Sequence, residues 1–138
     1  MQAGEWRVLA INPGSTSTKI AVYAKDRAEL QRNLDHSESE MEQFRGRPIL
    51  DQLEFRQSRI EWELSDAGYR LEQFDAVVGR GGLMRPVASG TYKVNEAMLE
   101  DLRSTRYGEH ASNLGAFLAQ AIGGKASGGF HRRSGECG

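Results

Sequence analysis

The sequence predicts an α/β domain whose mixed sheet opens in a β-hairpin, and three observations carry that expectation. Two short β-rich runs, Val8-Leu9-Ala10-Ile11 and residues 19–23, flank a polar turn that contains Asn12, Pro13 and Gly14. From Pro48 onward, apolar residues recur at helical spacing. Phe74-Asp75-Ala76-Val77-Val78 then reads as a short buried strand, broken sharply by Gly79-Arg80-Gly81-Gly82.

Taken in order, the two opening runs form the hairpin, and a third strand is expected over residues 30–36, because an isolated hairpin is marginal in water. Pro48 suits the first position of a long helix. Ile49, Leu50, Leu53, Ile60 and Leu64 line one side of that helix, and Gly68 is placed to end it. The strand over 74–78 ends at the glycines, a kind of position that ligands favour in open α/β sheets. A short strand over 91–94 and a helix capped by Asn95 and running to about Thr105 follow. After Gly108-Glu109-His110, residues 111–122 read as a final helix. Residues 125–138 hold four glycines and one large apolar side chain, Phe130, which is the composition of a disordered segment. The expected organisation is therefore one domain over 1–124 and a disordered tail over 125–138.

With 138 residues, 38% of them hydrophobic and 27% charged, the chain can bury one compact core. Eighteen basic against nineteen acidic residues leave a net charge of −1, which argues against nucleic acid or an anionic membrane as partner. Cys137 is the single cysteine, so no intrachain disulfide forms. The start has no signal-peptide pattern, and no apolar run approaches the roughly 20 residues of a membrane span, so a cytoplasmic setting is expected. Metal-ligand spacings such as C-x-x-C, H-E-x-x-H or an EF-hand loop are missing, and no protein-built metal site is expected.

Three places can carry chemistry. Asn12-Pro13-Gly14-Ser15-Thr16-Ser17-Thr18-Lys19 packs an amide, a glycine, four hydroxyls and a lysine into one turn, so many donors can converge on a phosphate. An ordinary polar hairpin turn uses the same residues. It is not a Walker loop, since G-x-x-x-x-G-K-[ST] is absent. Arg80 sits among glycines that let a backbone approach a ligand, and its guanidinium matches carboxylate or phosphate oxygens; the alternative is an arginine paired with a nearby acid. His110 precedes a helix start, where an anion is favoured, although a histidine bonded to its own loop is equally consistent. Arg85 suits a structural role; His36, on a strand expected to be exposed, and His131, in the tail, are assigned none.

Four motifs, V-L-A-I-N-P-G-S-T-S-T-K-I-A-V-Y, V-V-G-R-G-G-L-M-R-P, G-T-Y-K-V-N-E-A-M-L-E-D-L and G-E-H-A-S-N-L-G, together resemble the butyrate kinases over residues 7–123. Acetate kinases are less similar: their first loop reads N-A-G-S-S-S, and a histidine stands where Gly79 precedes Arg80 here. The resemblance implies a ribonuclease-H-like (actin-like ATPase) fold of two domains, with the active site between them, of which this chain is an incomplete part. It implies transfer of the γ-phosphoryl of ATP to a short-chain carboxylate, with Mg²⁺ accompanying the nucleotide. By motif position, Asn12 and Ser15, with Ser17 and Lys19 behind them, would face the phosphates. Arg80 would bind the carboxylate and the transferring group, and His110 would donate a hydrogen bond to that group's oxygens. Such roles suit phosphoryl transfer, which depends on positioning and charge neutralisation.

The family continues into a longer second half carrying the adenosine pocket and acidic metal ligands, so this chain is expected to be inactive alone. Past Gly123 the family pattern gives way to residues 125–138, which look more like an out-of-frame reading than an evolved ending, a natural flexible tail being the alternative. Two other functions stay open: a non-catalytic remnant or interaction protein, and a kinase for another acid, branched or acetate. Association into a homo-oligomer is compatible with all three.

Overall fold

A computed structural model describes residues 6–81, 92–105, 108–126 and 136–137. Strand β1 (Arg7–Pro13) alternates strictly, with Leu9 and Ile11 buried on one side and Val8, Ala10 and Asn12 half-buried on the other. It pairs antiparallel with β2 (Ser17–Ala24), Asn12 standing opposite Lys19, so the expected hairpin is present. β2 pairs in turn with β3 (Arg27–Asp35), through a turn in which Lys25 takes φ 56°. The third strand thus begins three residues earlier than its sequence suggests. Its outer positions are polar and alternate too weakly to mark the start.

Helix α1 (Glu38–Glu42) was not legible as a helix because none of its residues is buried. It is held locally: Ser37 accepts from Glu40 N–H while the Glu40 side chain accepts from Ser37 N–H, a complete capping box. Pro48 does open the next helical stretch, first as a 3₁₀ turn (Ile49–Gln52) and then as α2 (Leu53–Asp66), which buries Arg56, Ile60 and Leu64. Gly68, at φ +90°, ends it as expected.

β4 (Ala76–Gly79) runs parallel to β1 and makes the sheet mixed. β5 (Tyr92–Lys93) leads to α3 (Glu96–Ser104), where the Asn95 side chain accepts from Met98 N–H at 2.9 Å. A 3₁₀ turn (Ala111–Asn113) runs directly into α4 (Leu114–Ala126), and β6 (Glu136–Cys137) lies between β4 and β5, giving the order β3-β2-β1-β4-β6-β5. Of the expected tail, Lys125 and Ala126 belong to α4 and Glu136 and Cys137 to the sheet; the rest, with Gly82, Arg85 and His131, lies outside the described residues.

One face of the sheet, built from Leu9, Ile11, Ile20, Val22, Leu34 and Val77, packs against Ile60 and Leu64 of α2 and Leu114, Leu118 and Ile122 of α4. The opposite face carries Ala10, Asn12, Lys19, Ala21, Tyr23 and Val78 along an open groove of about 730 Å³. The chain is therefore the α/β mixed-sheet domain that its patterning predicts, opening in a hairpin and continuing through a parallel strand.

Candidate functional site

The carboxyl ends of the parallel strands β1 and β4 lie side by side, and Arg80 N–H donates to Ile11 O at 2.9 Å just past the last β4 residue. That bond places Arg80 beside the end of β1. Through the antiparallel register, Lys19 of β2 stands next to Asn12, and all three side chains line the open groove. Lys19, Arg80 and Asn12 thus share one concave face with Gln31 and Asn33 of β3, and Ala10, Ala21 and Val78 form its small apolar floor. Lys19 and Arg80 are exposed, so they can meet an anion arriving from solvent.

Ser15, in the turn joining β1 and β2, and Ser17, the first residue of β2, do not line the groove. The turn is tight: Gly14 N–H donates to Ser17 O at 2.7 Å, and His36 N–H donates to Thr16 O at 2.8 Å. Ser15 is exposed at its tip, and Ser17 is half-buried.

α4 approaches this end of the sheet more closely than any side chain permits. A Cβ on Gly79 would lie 2.2 Å from Gly115 O, and one on Gly115 would lie 2.1 Å from Arg80 O. Two glycines, one per element, make that contact possible. The turn Ala111–Asn113 ahead of α4 consequently touches β1, and Asn113, fully buried, closes it by donating from Nδ2 to Gly108 O at 3.0 Å. His110 caps this turn. Its Nδ1 accepts from Ser112 N–H at 3.1 Å and lies 2.9 Å from Ser112 Oγ. The ring is bonded to its own loop through Nδ1, and the exposed imidazole does not line the groove with Arg80.

Two residues beneath the turn escaped the sequence reading. His36, expected on an exposed strand, is instead 5% exposed, because it follows the last β3 residue and folds inward to bond Thr18 Oγ1 through Nε2 at 2.8 Å. Burial, reinforced by the nearby Arg56 and Arg59 charges, holds its imidazole down to about 4, and its Nδ1 meets no partner among the described residues. Arg56 is fully buried on α2. The available signal was its place at four-residue spacing with Gln52, Ile60 and Leu64, all buried: a charge in the middle of an inward stripe.

Among the described residues there is no group of three His, Cys, Asp or Glu side chains able to hold a metal ion. What the turn offers a cation is hydroxyl and amide oxygen, which fits an ion carried on a ligand's phosphates better than a resident one. No helix among the described residues is long and apolar enough to cross a membrane.

No family model matches the chain. It is 49% identical over 118 residues to butyrate kinase 2 of Clostridium acetobutylicum, covering 86% of this chain and 33% of that protein. A probable butyrate kinase of Listeria innocua matches at 49% over 118 residues, and one of Coprothermobacter proteolyticus at 48% over 120, again covering 33% of the relative. The chain thus spans about a third of the length of the curated relatives it matches, in keeping with the N-terminal portion that its motifs resemble. A solved PPX-GPPA enzyme of Aquifex aeolicus superposes with a TM-score of 0.48 at 13% identity, over 90% of this chain and 51% of that one.

Proposed function

We propose that this chain, similar over most of its length to butyrate kinases, is the anion-handling part of a carboxylate kinase that passes the γ-phosphoryl of ATP to butyrate. The observation that carries the reading is the meeting of Asn12, Lys19 and Arg80 on one face at the carboxyl ends of β1 and β4. Arg80, a planar fork beside glycines, suits the carboxylate and the transferring phosphoryl group. Lys19, Asn12 and the hydroxyls of Ser15 and Ser17 suit the nucleotide phosphates, and a Mg²⁺ bound with ATP supplies further neutralisation of their charge. His110 keeps Nε2 available for an oxygen of the transferring group, since its Nδ1 is occupied by its own loop. A carboxylate nucleophile is ionised at pH 7, so these residues need only bind, orient and neutralise.

The chain spans about a third of the length of its curated relatives, so turnover by this chain alone is not part of the proposal, nor is tight nucleotide binding. In a cell the cytoplasm, where ATP is made, suits the reaction. The half-buried apolar floor of the groove favours one competing reading, a non-catalytic domain that docks another polypeptide there.

Amide NMR of the ¹⁵N-labelled chain titrated with butyryl phosphate separates the two. The kinase reading expects shifts at Asn12, Lys19, Arg80 and the 14–18 turn; a titration that moves none of these amides would contradict it.

A further inference from the structure

Among the described residues Arg56 donates five hydrogen bonds, none of them to a carboxylate. Nη1 bonds Ser17 O at 3.0 Å and Thr18 Oγ1 at 3.2 Å; Nη2 bonds Ser15 O at 3.1 Å and Gln52 Oε1 at 2.8 Å; Nε bonds Gln52 Oε1 at 3.1 Å. A guanidinium removed from water is tolerated only when its donors are satisfied, and here neutral oxygens satisfy them without cancelling the charge. Burial draws the group down only to about 10, so it remains a cation at neutral pH. A full positive charge therefore lies directly beneath the 15–18 turn, in a medium that screens it far less than water does.

The geometry of the turn follows from these bonds. Ser15 O and Ser17 O both point down to Arg56, and in a trans peptide the N–H that follows a carbonyl points the opposite way. The Thr16 N–H is thereby directed away from the guanidinium, and no described acceptor meets it. Thr18 Oγ1 is held between Arg56 and His36, which fixes the turn from its other side.

We infer that Arg56 is the positioning residue of the phosphate-facing turn: its fork sets the backbone so that Thr16 N–H and the Ser15 hydroxyl face solvent, and its uncancelled charge biases them toward phosphate oxygens. This rests on reading residues 12–19 as phosphate-facing. Arg56 itself, fully buried, touches no substrate.

The test compares the whole chain with its Arg56→Met and Arg56→Lys variants by amide NMR, with inorganic pyrophosphate as the probe. In the parent chain, pyrophosphate is expected to shift the amides of residues 14–18. Arg56→Met is expected to weaken that binding at least tenfold and to speed hydrogen exchange at 16–18, while the Leu9 and Val22 amides are unchanged. Arg56→Lys restores the charge without the fork, so most of the affinity should return while exchange in the turn stays fast, a split that a merely structural role would not produce. Affinity and exchange within twofold of the parent in Arg56→Met would overturn the inference. If that variant does not fold, unchanged exchange at 16–18 in Arg56→Lys would overturn it equally. A parent turn that ignores pyrophosphate would instead remove the phosphate reading, and the inference with it. The exchange pattern of the variants tells these failures apart.

Discussion

Arg80 is exposed and its backbone is tied to Ile11, so its side chain contributes to binding without supporting the core. In a chain extended to the length of its relatives, Arg80→Ala should lower acyl phosphate formation by roughly 10²–10³-fold, the usual loss of one transition-state donor. Stability should stay within about 0.5 kcal/mol; an unchanged rate in a coupled assay removes Arg80 from the site. His36 gives a second prediction. Its imidazole titrates near 4 when folded, against 6.5 for an ordinary histidine, so between those values the unfolded chain binds the extra proton. Stability is then intact above about 6.5 and falls as pH drops towards 4, by on the order of 3 kcal/mol. Glu29, held down to about 2 chiefly by its Arg7 hydrogen bond, loses its share at lower pH, from 4.5 downward. Melting temperatures of His36→Gln should therefore lack most of the slope above pH 4.5; an identical slope would show that His36 is not its source. Asn12, Lys19 and Arg80 stood out in the sequence because an amide, a lysine and an arginine near glycines suit an anion, and the fold brings the three to one groove. Arg56 and His36 did not, since burial of a charged or titratable side chain is decided by register and by what packs over it.

Among the elements, α4 and β4 show most clearly what local pattern misses. Gly79 and Gly115 read separately as a strand breaker and a helix glycine, yet together they set how closely the helix approaches the end of the sheet. Helix propensity alone favours Gly115→Ala by about 1 kcal/mol. Overlap of the new Cβ with Arg80 O at 2.1 Å opposes it, and forcing atoms into a packed site costs about 1–3 kcal/mol or more. Denaturant unfolding of Gly115→Ala should accordingly show net destabilisation and, through Arg80, weaker anion binding. A neutral or stabilised variant would mean the contact is loose. The hairpin, α2 and α3 were readable because apolar alternation, helical spacing and a capping asparagine agree with one another. α1 left only Ser37 and Glu40 as a capping signature, and α4 runs on to Ala126, past the expected end at residue 122, with Ala126 still buried.

At the scale of the whole molecule, one sheet face is closed by α2 and α4, and the other presents the groove lined by Asn12, Lys19 and Arg80. That asymmetry could not be read from the strands alone, since both faces of β1 and β2 carry apolar residues. These 138 residues span about a third of the length of the curated relatives, so calorimetric titration of them with Mg-ATP is expected to give at most millimolar affinity. Micromolar binding would place a nucleotide pocket within these 138 residues. The most direct measurement replaces the matching segment of the Clostridium acetobutylicum relative with residues 7–123 of this chain and follows butyryl phosphate formation from butyrate and Mg-ATP. The account predicts a folded hybrid that turns over, and that loses activity with Arg80→Ala. A folded hybrid with no activity would contradict the claim that these residues form the anion-handling part of a carboxylate kinase.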